Sequence, residues 1–312
     1  MSDLQEFRFF SADGSTPLYG CCWAPETSPP LAVLQLVHGI SEHIGRYDHF
    51  ARFMAAHGFF VCGEDHLGHG RTPERPEDLG YTADADGWTK MTDNVRALHD
   101  WAKERHPTLP YILLGHSMGS FLSRSYLIRY PGTVDACALL GTGQQPGVVL
   151  SAGLLACRLE QLRLGKRGRS KLLQTLCFGA YNRQFKPNRT QSDWVCSVEA
   201  VVDAYIADPF CQVMPTVTLM RDMLSGIRFN QQTDQLSKMD RTTPILFLSG
   251  EQDPVGANGK GVQQAYQSFL AAGCRDVTLK LYPEGRHEML NEANRDEVYQ
   301  FLLHWMQRQI KS

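Results

Sequence analysis

Tyr111-Ile112-Leu113-Leu114-Gly115-His116-Ser117-Met118-Gly119 is the stretch that decides how this chain folds. The apolar residues at 111–114 read as a buried strand, and residues 120–130 carry helical spacing that closes at Pro131. Between them stands G-x-S-x-G. Small residues at both ends of the pentapeptide let the backbone turn sharply enough to lift the Ser117 hydroxyl above a sheet edge, a nucleophile elbow. Five residues match by chance in many chains. A strand before and a helix after make this match structural.

Working outward, the first 140 residues alternate between strand and helix patterns. Runs at 6–10 and 18–23 flank the turn Ala12-Asp13-Gly14-Ser15. The near-continuous apolar runs at 31–37 and 59–63 are of the kind buried on both faces of a sheet. Helical spacing covers 47–57 and 86–106, where Trp88, Met91, Val95, Leu98 and Trp101 recur three or four apart. Residues 134–140 complete a further strand. From about 144 to 237 the alternation fails, and helical stretches at 148–164, 171–178, 197–206 and 216–225 follow one another. Strand at 244–249, helix at 260–272, strand at 277–282 and helix at 295–310 then resume it. The expectation is an α/β-hydrolase fold with a mostly parallel central sheet flanked by helices. One catalytic domain is built from 1–143 and 238–312, and a helical cap, or lid, is inserted at 144–237.

Composition narrows the class. The chain has 312 residues, 43% hydrophobic and 21% charged, as ordinary globular enzymes do. A net charge of −2 supplies no positive field for phosphates, so no nucleic-acid partner is expected. The start Met1-Ser2-Asp3-Leu4-Gln5-Glu6 lacks an apolar signal core, and no run approaches membrane-spanning length, which predicts a cytoplasmic, soluble chain. Nine cysteines without a C-x-x-C pair are expected to be reduced and mostly buried. His66 and His69 lack a matching ligand pair, so no metal is expected, and no cofactor. Asn188-Arg189-Thr190 matches a glycosylation acceptor, idle without a secretory signal.

Acyl transfer by serine needs a base, a group that orients the base, and donors for the oxyanion. In this fold the chain order is Ser, Asp or Glu, His. Asp253 stands just beyond the strand at 244–249, and His287 just beyond the strand at 277–282. Both lie in loops past strand ends, where open α/β sheets place their sites. Ser117 is therefore the expected nucleophile, His287 the base and then acid, and Asp253 the orienter. Glu251 is the competing acid but lies nearer the strand end. His99 and His304 fall within helices and read as ordinary, and His116 as packing beside the nucleophile. One oxyanion donor is the backbone N–H of Met118. The other belongs to the loop His38-Gly39-Ile40-Ser41-Glu42, with Ile40 the candidate because Gly39 permits the tight turn.

With these residues in hand, the chain resembles the monoacylglycerol lipase and lysophospholipase group of α/β-hydrolases, which includes serine aminopeptidase-like members. His38-Gly39-Ile40-Ser41-Glu42-His43 followed by Arg46-Tyr47 is similar to that group's oxyanion loop, and Asp65-His66-Leu67-Gly68-His69-Gly70-Arg71 is likewise similar to the group. Gly115 to Gly119 and Arg286-His287-Glu288-Met289-Leu290-Asn291-Glu292 look like its elbow and histidine loop. The resemblance implies Ser117, Asp253 and His287 as triad, Ile40 and Met118 as oxyanion donors, and a small-molecule acyl ester as substrate. Ser41 departs from the group, which commonly has glycine there.

The cap selects substrate and matches the group least. Its Val148, Val149, Leu150, Leu154, Leu155, Leu159, Leu162 and Leu164 either pack on the core or line an acyl tunnel, to which Phe178, Phe185, Trp194, Phe210, Met214 and Met220 are further candidates. Arg158, Arg163, Lys166, Arg167, Arg169 and Lys171 form either a solvated face or a surface for anionic lipid or a phosphate headgroup. The leading expectation is a serine hydrolase of lipid-like carboxylic esters, monoacylglycerol or lysophospholipid, with transient membrane contact through the cap. A serine aminopeptidase or iminopeptidase needs an anionic clamp, and the cap's acidic residues do not cluster. A non-catalytic binding protein on this fold would have lost part of the triad.

Overall fold

The long apolar runs become neighbouring strands of one sheet. In the computed structural model, which describes residues 4–26 and 29–310, the strands are β1 (Leu4–Phe10), β2 (Pro17–Trp23), β3 (Ala32–Val37), β4 (Phe59–Glu64), β5 (Tyr111–His116), β6 (Ala136–Leu140), β7 (Ile245–Gly250) and β8 (Val277–Tyr282). Their spatial order is β1-β2-β4-β3-β5-β6-β7-β8. The pairings β1–β2 and β2–β4 are antiparallel, and all others are parallel.

Side chains alternate between two cores. Val33, Val37, Leu113, Cys137, Leu139, Ile245 and Phe247 enter one, and Ala32, Leu34, Leu36, Ile112, Leu114, Ala138, Leu246 and Leu248 the other. Helices cover both faces, which is why these strands read as continuous apolar runs rather than alternating ones. α1 (Asp48–Ala56) and α10 (Arg295–Gln309) lie on the second face through Phe50, Met54, Leu302 and Trp305. α2 (Gly87–Arg105), α3 (Met118–Arg129) and α9 (Lys260–Ala271) lie on the first through Met91, Leu122 and Phe269.

Between β6 and β7 run α4 (Gly147–Leu164), α5 (Lys171–Phe178), α6 (Glu199–Ala207), α7 (Val217–Asn230) and the short α8 (Thr233–Leu236). α7 continues past the expected stop at 225. Gly226 does not break it, because a Cβ there would overlap the Trp88 indole, so glycine serves a close approach. Both ends of the β6–β7 segment are fastened to α3. Arg124 Nη1 donates to Gly143 O at 2.8 Å, and Asn230 Nδ2 to Phe121 O at 2.7 Å. Gln145 and Gln231 exchange two bonds of 2.9 and 2.7 Å. No helix among the described residues is long and apolar enough to cross a membrane.

Candidate active site

The elbow is built from contacts that leave its backbone little choice. Ser117 has φ 54° and ψ −122°, a region that L-residues avoid at a cost of about 1–3 kcal/mol. Its N–H donates to Leu140 O at 3.0 Å, and its carbonyl accepts Ser120 N at 2.9 Å and Ser120 Oγ at 2.6 Å. A Cβ on Gly119 would overlap the carbonyls of Val37 and His38, so only glycine lets α3 start this close to β3. Because β3 and β5 are neighbours, with Val37 opposite Gly115, the loop after β3 arrives beside Ser117. Met118 is the first residue of α3, so its N–H has no intrahelical acceptor. The Ile40 N–H has no acceptor among the described residues either. Ile40, Ser117 and Met118 all line one cavity.

Asp253 and His287 meet across the ends of β7 and β8. His287 Nδ1 donates to Asp253 Oδ2 at 3.0 Å. Asp253 is fully buried, its Oδ1 accepting Val255 N at 2.9 Å and its Oδ2 also accepting Ser249 Oγ at 3.3 Å. With Nδ1 donating, the lone pair of His287 sits on Nε2. The imidazole is buried, its centroid 5.1 Å from the Trp194 ring and 4.7 Å from that of His116, and His287 lines the same cavity as Ser117. Glu251 is exposed at the surface. His99 bonds to Thr133 O at 2.9 Å within the α2 packing, and His304 is exposed.

Sequence reading missed a buried ionic network behind these residues. Glu42 Oε1 accepts from Gly39 N, from Tyr47 OH at 2.8 Å and from His116 Nδ1 at 3.2 Å. Glu42 Oε2 accepts Arg46 Nη1 at 2.8 Å, and Arg46 grips both oxygens of Glu288. Burial opposes charge on Glu42 and His116. Their mutual bond and ion pair outweigh it, helped by Arg46 at Glu42 and by Glu288 at His116: the Glu42 carboxyl is held well below its usual range and the His116 imidazole is pushed up. His116 Nε2 in turn donates to His287 O at 3.2 Å. The loop carrying Ile40 and the loop carrying His287 are thus tied through one charged cluster. All of its members stand in the quoted motifs, but the Arg46–Glu288 pair spans 242 positions, beyond any local pattern.

The cavity is about 530 Å³. Ile40, Phe121, Phe178, Trp194, Met223 and Ile227 supply apolar wall, and Gln174, Asn182, Asn188 and Thr190 supply uncharged polar groups. No lysine or arginine lines it among the described residues. Of the tunnel candidates, Phe178 and Trp194 do line it. Phe185 instead lies under Arg286, Phe210 lies edge-on to His43, and Met220 is in the core. No residue of α4 reaches the cavity: Leu150 and Leu154 are buried, while Val148, Leu155, Leu159 and Leu162 face solvent. The basic cluster mostly braces the molecule. Arg163 pairs with Glu160, Lys166 with Asp84, Arg167 with Asp78, and Arg169 holds the carbonyls of Met214 and Leu79. All nine cysteines are free thiols.

Residues 28–294 match the family described as "Serine aminopeptidase, S33". The chain is similar to a monoacylglycerol lipase of Mycolicibacterium smegmatis, 30% identical over 309 residues that cover 98% of each. A monoglyceride lipase of Homo sapiens is 28% identical over 290 residues, 90% of this chain and 82% of that one. A solved carboxyl esterase from Bacillus coagulans in complex with glycerol superposes with a TM-score of 0.91 at 27% identity, covering 99% of this chain and 100% of that one. The chain belongs to the serine aminopeptidase S33 family, has the α/β-hydrolase fold, and is a carboxylic ester hydrolase.

Proposed function

We propose that this hydrolase cleaves the ester of monoacylglycerol-type lipids through an acyl-enzyme on Ser117, within a catalytic domain of residues 1–143 and 238–312 under a cap of residues 144–237. His287 Nε2 takes the Ser117 proton as Oγ attacks the ester carbonyl carbon. The tetrahedral oxyanion is met by the Ile40 and Met118 amides. Collapse breaks the bond to the alcohol oxygen, which leaves with the proton from His287. Water then attacks the acyl-serine, again giving a proton to His287, and the fatty acid departs as Ser117 recovers its proton. Asp253 keeps the imidazole in the tautomer that can accept.

One observation carries the choice of substrate: the wall around Ser117 and His287 is largely apolar and uncharged-polar, with no lysine or arginine among its described lining residues. A phosphate headgroup is held by arginine or lysine, so a neutral glycerol ester fits this wall better than a lysophospholipid. A peptidase that captures a free amino terminus needs an available carboxylate. The two glutamates that line the cavity, Glu42 and Glu288, are both held by Arg46. The similarity to monoacylglycerol lipases points the same way. Leu155, Leu159 and Leu162 on α4 with Leu172 and Leu176 on α5 leave an apolar surface open, which supports transient contact of the cap with a lipid surface.

The test is acyl release from a panel at matched chain length: a monoacylglycerol, a lysophosphatidylcholine, a 4-nitrophenyl ester and an aminoacyl-arylamide, with Ser117→Ala as control. Monoacylglycerol turnover well above that of lysophosphatidylcholine, lost in the variant, is expected. Equal turnover of both lipids removes the headgroup argument, and arylamide turnover alone removes the ester reading.

A further inference from the structure

The seam between the loop after β3 and the turn after α6 brings together three metal-binding chemistries that the ester mechanism does not use. Asp208-Pro209-Phe210-Cys211 is a turn closed by Cys211 N donating to Asp208 O at 3.1 Å. Aspartate first and proline second are the residues such a turn favours. The turn aims Asp208 and Cys211 at His43, three positions after Ile40. His43 Nε2 lies 2.8 Å from Asp208 Oδ2, while Asp208 Oδ1 accepts Phe210 N at 2.8 Å. One donor atom from each of His43, Asp208 and Cys211 lies within 4.8 Å of the others. Bonds of about 2.0–2.3 Å in a tetrahedral zinc site put donors about 3.5 Å apart, so side-chain adjustments alone close the set.

We propose that His43, Asp208 and Cys211 form a three-ligand site for Zn²⁺, with water in the fourth position, that ties the segment after α6 to the loop carrying Ile40. Thiolate, imidazole and carboxylate together select a zinc-class ion over magnesium or calcium. The Cys211 thiol is buried and makes no hydrogen bond among the described residues. The His43 and Asp208 side chains keep 17% and 28% of their surface exposed, which leaves an ion a way in. Burial holds the proton on Cys211; Arg46 works against this, and Asp208, Glu42 and Glu288 reinforce it. Those carboxylates also favour a cation at the site. The metal replaces the thiol proton, which is released to solvent as the Zn–S bond forms.

The site adjoins a strained contact. Ser41 and Gln212 both have φ of 56°, although neither is glycine. Gln212 N donates to Ser41 O at 3.2 Å, Ser41 Oγ donates to Val213 O at 2.7 Å, and Tyr205 OH donates to Ser41 O at 3.3 Å. This explains what the departure from glycine at 41 does: the serine hydroxyl fastens the two segments. Ser41, Gln212 and Val213 line the cavity, so a metal that draws His43 and Cys211 together acts on its wall and slows ester hydrolysis. That consequence rests on the reading of Ile40 as an oxyanion donor; metal binding does not.

The experiment uses the reduced full chain and titrates Co²⁺ as a spectroscopic stand-in for Zn²⁺. One equivalent is expected to give a near-ultraviolet thiolate-to-cobalt band, displaced by Zn²⁺, in the wild type and equally in Ser117→Ala. The band vanishes in Cys211→Ser, and affinity falls at least about tenfold in His43→Ala and Asp208→Asn. Zn²⁺ inhibition of 4-nitrophenyl ester hydrolysis weakens by the same factor in all three. No thiolate band in the wild type, or a band that persists in Cys211→Ser, overturns the site. Inhibition unchanged in Cys211→Ser places the inhibitory ion elsewhere, at His287, and overturns the regulatory part. If Cys211→Ser fails to fold, as melting reports, His43→Ala carries the test. Failure of the ester panel leaves the cobalt result standing, so the two readings fail separately.

Discussion

The C-terminal edge of the sheet and the segment between β6 and β7 are built on opposite plans. At the edge, eleven of the twelve residues of α3 are buried, and Glu42, Arg46, His116, Asp253 and His287 are each fixed by named partners. In the segment, α5 and α6 each bury a single residue, Leu173 and Val202, and leave large apolar side chains in water. The difference teaches where rigidity is needed. On the proposed mechanism, acyl transfer needs donors and a base held to fractions of an ångström, whereas the proposed cap has to open at low cost to admit a lipid chain.

The largest effect should fall on the rigid side. Ser117→Ala and His287→Ala are each expected to lower kcat for ester hydrolysis by about 10⁴-fold or more, read in steady-state assays. A loss below tenfold would break the assignment. Glu42→Gln comes next. It strands Arg46 and His116 with less counter-charge in a buried site, and denaturant unfolding is expected to report about 3–5 kcal/mol of lost stability. Lys166→Ala, which removes an exposed pair with Asp84 on the other side of the comparison, should cost less than about 1 kcal/mol. If both variants lose the same amount, the two regions do not differ as argued.

A pH series sharpens the contrast further. Burial pushes the His69 imidazole down to about 4, with His66 adding to the effect, and His38 shifts the same way. The unfolded chain takes a proton on His69 near pH 6.5 and the folded chain only near 4. The fold therefore loses stability as pH falls from 6.5 to 4, by about 3 kcal/mol for this one group. His69→Gln should flatten the fall in melting temperature across that window without abolishing it, because His38 remains. A slope unchanged from the wild type would contradict the assignment. The smallest effect belongs to the proposed cap: Leu159→Ser with Leu162→Ser should lower turnover of vesicle-borne monoacylglycerol several-fold while leaving a soluble short ester within about twofold. Equal loss on both substrates would mean that these leucines hold the fold together.

The same division governed what the sequence disclosed. β3, β5 and β7 were legible because burial on both faces leaves continuous apolar runs; Ser117 and Asp253, proposed as nucleophile and orienter, follow two of them, whereas His287, the proposed base, follows β8, an alternating and half-buried strand. The order of strands was not legible, since pairing of β3 with β5 joins positions 78 apart through no local pattern. The network of Glu42, Arg46, His116 and Glu288 was hidden for the same reason. In the segment, helical spacing located α4 and α5 but not their wet faces. Leu159 and Leu162 carry the spacing of a packed helix and nevertheless face solvent, because periodicity defines a face and not what covers it. The helix read over 216–225 stops short of α7, which continues to Asn230 through Gly226, where glycine gives Trp88 room.

The most direct test of the central claim is covalent. The wild-type chain is treated with a long-chain alkyl fluorophosphonate and its peptides are mapped by mass spectrometry, beside His287→Ala. The account predicts one adduct, on the peptide containing Ser117, formed far more slowly in the variant. Labelling of another residue, or equal rates in the two proteins, would contradict it.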